Sequence, residues 1–180
     1  MTTEINLNVF AQEVHNNAVE HGWWDSPRNM YEIRALIHSE WSEALEEYRS
    51  NRPMVWYADS GKPEGIAVEL IDGCIRILDY VAHTGSVGDS FRSLDRLRAN
   101  VCFGSTPLNR QKVSEIKLVQ LVDELHRKTS KAYSRDCTHL AAAVALVFAW
   151  IEEQDIDPVA LMLQKHEYNK GRPYKHGKVC

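Results

Sequence analysis

The sequence predicts an all-α protein, an antiparallel helical bundle with a four-helix core and further helices around it. Three observations carry this expectation. Apolar residues recur at steps of three and four in several windows, the spacing that gathers them on one face of a helix. Convincing alternating runs closed by hairpin dipeptides, the usual mark of strands, are not found. The helical windows are long and their connections mostly short, so successive helices should pack as antiparallel neighbours.

The elements follow in order. A first helix is expected over about 5–21, stopping at Gly22. A second should run over about 29–49 and end before Arg52-Pro53, because the residue before a proline is steered away from helix. A third begins after Pro63 and ends at Gly85. The stretch 86–109, with Gly88, Gly104 and Pro107, reads as irregular, with a short helix near 91–97. A fourth helix is expected over about 110–133 and a fifth over about 138–154. Pro158 suits the first turn of a sixth, ending near Asn169. The tail 170–180 contains two glycines and a proline and should be extended.

The 180 residues suit one domain, 1–180, with a full core. Within it, 86–155 reads either as an insertion or as a degenerate second helical pair echoing helices two and three. The net charge of −4 argues against a protein that coats nucleic acid, so no stable nucleic-acid binding is expected. Cys74, Cys102, Cys137 and Cys180 are scattered, which predicts reduced thiols and neither a disulfide framework nor a zinc site. The first residues show no basic region followed by an apolar run, and no stretch approaches a membrane span. A cytoplasmic protein without membrane contact is the expectation.

The chemistry is concentrated in acidic residues on two helices. With residues placed at about 100° steps around the second helix, Ile33, Leu36, Ile37, Ala44, Leu45 and Tyr48 define its apolar arc. His38, Ser39, Ser42, Glu46 and Arg49 fall on the wet side, whereas Glu40, Glu43 and Glu47 lie on the flank facing the bundle interior. A buried carboxylate loses its hydration and must be paired, coordinated or protonated. The third helix is apolar around most of its circumference except for one stripe, Glu69, Asp72, Arg76, Asp79 and His83. If that stripe faces the second helix, Glu-x-x-Glu and Glu-x-x-Asp meet as four carboxylates. An all-oxygen set selects a hard cation, Mg²⁺ with Mn²⁺ as the alternative. Glu-x-x-His, the pattern of di-iron bundles, is absent.

Glu40-Trp-Ser-Glu43 followed by Glu69-Leu-Ile-Asp72 resembles the paired acidic motif of the MazG-like nucleotide pyrophosphohydrolases. The C-terminal segment, with Lys165, Asn169 and Arg172, is similar to the basic tail of that family, and Gly22-Trp-Trp-Asp25 resembles one of its branches. The resemblance covers about 10–84 and 159–178, leaving out 86–155. It implies a MazG-like bundle that hydrolyses a nucleoside triphosphate to a monophosphate and pyrophosphate. It makes Glu40, Glu43, Glu69 and Asp72 the ligands of Mg²⁺, and Lys165, Asn169 and Arg172 the phosphate contacts, to which Arg76 of the acidic stripe is added. Glu43 or Glu47 is the expected base. Trp23, Trp24 and Trp41 are candidates for stacking on the nucleobase. The resemblance also implies a homo-oligomer, dimer or tetramer.

Two rival classes are weighed against this reading. A non-catalytic helical module, binding a nucleotide or a protein partner, would leave the acidic stripes solvated. A His-Asp type phosphohydrolase needs a His-Asp dipeptide, and no histidine here precedes an aspartate.

Overall fold

A computed structural model describes residues 5–85, 113–133 and 137–177. Among these residues the chain is mostly helical. Helix α1 is Leu7–Glu20, α2 is Met30–Arg49 and α3 is Ile66–His83. Helix α4 is Leu118–Ser130, α5 is Thr138–Glu152 and α6 is Pro158–Lys170. A two-stranded antiparallel ribbon, β1 (Trp56–Tyr57) with β2 (Pro63–Glu64), sits in the α2–α3 connection.

Side-chain caps fix several helix starts by satisfying amides that have no partner inside the helix. Asn6 accepts from the amides of Asn8 and Val9, and Asn29 accepts from that of Glu32. Asp157 accepts from Val159 and Ala160, with Pro158 in the first turn of α6 as the sequence predicts.

Helix α3 lies at the centre, packed against α1, α2, α5 and α6, while α4 packs on α2 and α5. Its position explains its composition: Val68, Leu70, Ile71, Cys74, Ile77, Leu78 and Val81 are all fully buried. Helix α5, the longest apolar run of the chain, is likewise core from Leu140 to Ile151 apart from Ala142 and Ala149. Helix α2 buries Ile33, Ile37, Trp41 and Ala44 at helical spacing.

Two glycines set how α3 meets its neighbours. A Cβ on Gly73 would stand 2.2 Å from the Trp41 ring, so the indole of α2 lies directly on the α3 backbone. Gly65, at φ +115°, opens α3, and a Cβ there would stand 2.7 Å from the Met54 carbonyl oxygen. That close approach lets the amide of Ala67 donate to Met54 at 2.9 Å, anchoring the first turn of α3, which carries Glu69.

The structure departs from the sequence reading in four places. The short ribbon was not foreseen, since two-residue strands have no alternation to detect. The fourth helix does not reach back to Val113: Val113–Glu115 is a 3-10 turn, and α4 starts only after Lys117, whose amide donates to the Gln120 side chain. The tail is not extended throughout, because Tyr174–Gly177 closes into a turn with Lys175 and His176 in the left-handed region at φ 45° and 51°. Tyr48, placed on the apolar arc of the second helix, is exposed. The expected short helix at 91–97, Cys102 and Cys180 lie outside the described residues, while Cys74 and Cys137 are buried. No helix among the described residues is long and apolar enough to cross a membrane.

Candidate metal centre

Glu40 and Glu43 stand one turn apart on α2, and Glu69 and Asp72 one turn apart on α3. Contacts run in opposite order along the two helices: Glu40 meets Arg76, and Glu43 meets Glu69. Helices α2 and α3 are therefore antiparallel, as the motif pairing requires. Glu40, Glu43 and Glu69 each offer an oxygen within 4.8 Å of the others. Glu40 and Glu69 are buried, and Glu43 is exposed. Asp72 is not part of this tight triad. It lines the same pocket, with Oδ2 held 2.9 Å from the ammonium of Lys165.

The electrostatics of the four acids are unfavourable on their own. Burial, with repulsion from Asp72, Glu40 and Glu43, pushes the Glu69 carboxyl up to about 9 despite the nearby Lys165. Burial also pushes Asp72 upward, with Glu40 adding to the effect and Lys165 and Arg76 opposing it. A divalent cation among these oxygens would relieve both desolvation and mutual repulsion. The donor set is carboxylate oxygen alone, which suits Mg²⁺ or Mn²⁺. The residues present fit such an ion.

Two cations are paired with the acids. The Arg76 guanidinium donates to Glu40, and Lys165, 1% exposed, donates to the Pro63 carbonyl at 3.1 Å as well as pairing with Asp72. Burial opposes the charge of Arg76, but Glu40, Asp72 and Glu43 outweigh it and hold the guanidinium more firmly protonated than usual. Lys62 and Arg172 also line the pocket.

Arg172 is brought there by the C-terminal turn, which is tied to the end of α1. His21 bonds the Arg172 carbonyl through Nε2 at 2.9 Å, and the amide of Lys175 donates to His21 at 2.9 Å. The Tyr174 hydroxyl donates to Asp25 at 2.6 Å. Gly22, at φ +78°, lies under the Tyr174 ring, where a Cβ would stand only 2.0 Å away. His176, on the same turn, also lines the pocket.

The remaining expectations divide. The stripe of α3 does face inward, since Glu69, Asp72, Arg76 and Asp79 all line the pocket. Asn169, Arg172 and Trp23 reach it too, whereas Lys165 does not line it and is buried in a pair with Asp72. Glu47 does not: its carboxylate accepts from the Trp56 indole at 2.8 Å, one consequence of the ribbon. Trp41 is no base-stacking surface, because it is fully buried and its indole donates to Thr129 on α4 at 3.0 Å. The spacing Ile33, Ile37, Trp41, Ala44 carried that signal. Trp24 is already occupied, stacked on His83 with ring centroids 3.8 Å apart and donating to Asp79. His38, placed on the wet side, is half-buried against His126, with Nδ1 atoms 2.7 Å apart.

The pocket, about 180 Å³, is also lined by polar side chains that are not carboxylates. Among them are Asn17 of α1, Arg28 of the α1–α2 loop, and His166 and Asn169 of α6, together with Trp23. Sequence reasoning missed Arg28, His166, Lys62 and His176. His166 and Asn169 share one face of α6 at a three-residue step, a signal that was there to read. Arg28 and Lys62 lie in connections, where no periodicity marks an inward side chain.

No protein-family model matches the chain, and no curated protein or solved structure matches it significantly.

Proposed function

We propose that the chain is a Mg²⁺-dependent nucleoside triphosphate pyrophosphohydrolase with a MazG-like arrangement of helices. One observation carries the proposal: three carboxylates from two antiparallel helices converge within 4.8 Å at a pocket that Lys62, Arg76 and Arg172 also line. Acidic residues for a metal and basic residues for phosphate, in one cavity, are what phosphoryl chemistry needs.

Glu40, Glu43 and Glu69 would hold the ion, with Asp72 beside them. When bound, Mg²⁺ makes a nearby water more acidic and screens the charge of the phosphates. Glu43, exposed at the pocket, takes the proton of the attacking water. The hydroxyl joins the α-phosphorus, the α–β phosphoanhydride bond breaks, and the bridging oxygen leaves with pyrophosphate. Arg172 grips phosphate oxygens through its planar fork, and Lys165 and Arg76 supply positive charge at the floor. Glu47, bound to Trp56, is left out of the proton transfer. The proposal includes a homo-oligomer, dimer or tetramer, in the cytoplasm, although the pocket is lined from within one chain.

Glu40→Gln and Asp72→Asn test this directly. Each should abolish Mg²⁺-dependent turnover while circular dichroism retains the helical signal, and Glu40→Gln should also lose Mg²⁺-induced thermal stabilisation. Undiminished activity in either variant contradicts the assignment. Wild-type protein whose melting temperature ignores Mg²⁺ would favour a non-catalytic module with solvated acids.

A further inference from the structure

The pocket lining also holds unmet hydrogen-bonding atoms that belong to none of the acids. Arg28 Nη2, His166 Nε2 and Asn169 Oδ1 are all buried without a partner, and all three residues line the cavity. The side chain of Arg28 is 5% exposed, and residues His166 and Asn169 are 3% and 8% exposed. Buried polar atoms in folded proteins are almost always satisfied, so several unmet ones around a single cavity point to a polar ligand.

The chemistry of these residues differs from that of the phosphate contacts. Arg28 is already neutralised, its Nε donating to Glu32 at 2.8 Å, and its guanidinium lies 5.6 and 5.7 Å from the ring centroids of Trp23 and Trp24. A paired guanidinium held by aromatic faces has a donor to offer and little net charge, which suits a neutral carbonyl better than a phosphate. Asn169 presents an acceptor, which repels phosphate oxygens and needs an N–H. His166 is edge-on to Phe10, and burial, reinforced by Lys170, disfavours its cationic form. A neutral ring nitrogen there suits a sugar hydroxyl or a second base atom. Trp23 supplies an apolar surface beside them.

We propose that Arg28 and Asn169 read the lactam edge of a nucleobase, a carbonyl beside a ring N–H, with the base against Trp23. With Arg28 on the exocyclic atom and Asn169 on the ring nitrogen, uracil, thymine and guanine match both, whereas cytosine and adenine set an N–H₂ against the Arg28 donor and a ring acceptor against Asn169. The inference rests on the pyrophosphohydrolase reading and names the substrate class of the same pocket. It also moves Asn169 from the phosphates to the base.

The test compares kcat/KM for deoxynucleoside triphosphates of thymine, uracil, guanine, cytosine and adenine in wild type and Arg28→Met. A second arm follows tryptophan fluorescence on adding thymidine or cytidine monophosphate without metal. Wild type should favour the lactam bases at least tenfold. Arg28→Met should lose most of that ratio, chiefly through KM for the lactam substrates, and thymidine monophosphate should quench wild type more than cytidine monophosphate does. Arg28→Lys, which keeps the charge without the fork, should behave like Arg28→Met and serves if the latter fails to fold. Preference for adenine or cytosine, no preference, or a preference unchanged in a folded Arg28 variant overturns the inference and leaves the enzymatic reading intact. If no triphosphate releases pyrophosphate, the enzymatic reading fails. The monophosphates then decide the subsite alone, and equal or absent quenching overturns it.

Discussion

Glu69 shows how one residue can tie the fold to the chemistry. It stands in the first turn of α3, where the helix dipole favours a negative charge, yet burial and its acidic neighbours raise its carboxyl to about 9. In the unfolded chain it ionises near 4.5. The folded state therefore binds the proton more tightly, and the stability this contributes is full below about 4.5 and is lost as pH rises toward about 9. Mg²⁺ requires the ionised form, so its binding should release protons. In chelator, the melting temperature should fall across that window, and the increment from Mg²⁺ should grow. Glu69→Gln should flatten both trends. A Mg²⁺ increment that does not change with pH contradicts this account of the site.

Gly73 and Trp41 make the opposite point, that a residue type is not a role. Trp41 was a candidate for stacking by its chemistry, but its ring fills the gap over Gly73. Gly73→Ala should destabilise by about 1–3 kcal/mol through overpacking, and Trp41→Ala by about 3–5 kcal/mol through the cavity it leaves. Chemical denaturation measures both. A neutral Gly73→Ala would show that the indole has room to move.

At the scale of elements, periodicity revealed most of the fold. The existence and order of α1, α2, α3, α5 and α6 follow from apolar spacing, and so does the inward turn of Glu40 and of the α3 stripe. What periodicity could not reveal lies between helices. The ribbon that takes Glu47 away, the loop that delivers Arg28, and the C-terminal turn that delivers Arg172 are fixed by pairings that no apolar period marks, Trp56 with Glu47, Glu32 with Arg28 and His21 with the Arg172 carbonyl. The start of α6 is a local matter and can be tested as one. Asp157→Ala removes a cap that accepts two amides and should cost about 1 kcal/mol. Because α6 carries His166 and Asn169 into the pocket and Lys165 against Asp72, the same variant should raise KM more than it lowers kcat. Unchanged stability would mean that Pro158 and packing alone hold this end.

At the scale of the molecule, α3 is the axis of the account. Four helices pack around it, it carries half of the carboxylates, and its polar stripe forms the floor of a cavity walled by α1, α2, α6 and the C-terminal turn. Helices α4 and α5 pack on one another without contributing to that cavity, which fits their lack of an acidic pair. The central claim is that this cavity gathers a divalent ion and a triphosphate so that the chain is cut between the α and β phosphates. The most direct measurement incubates the protein with nucleoside triphosphates and Mg²⁺ and resolves the phosphorus products. The account predicts equal amounts of nucleoside monophosphate and inorganic pyrophosphate, and none when the ion is chelated. Release of orthophosphate with a nucleoside diphosphate, or no Mg²⁺-dependent product from any triphosphate, would contradict it.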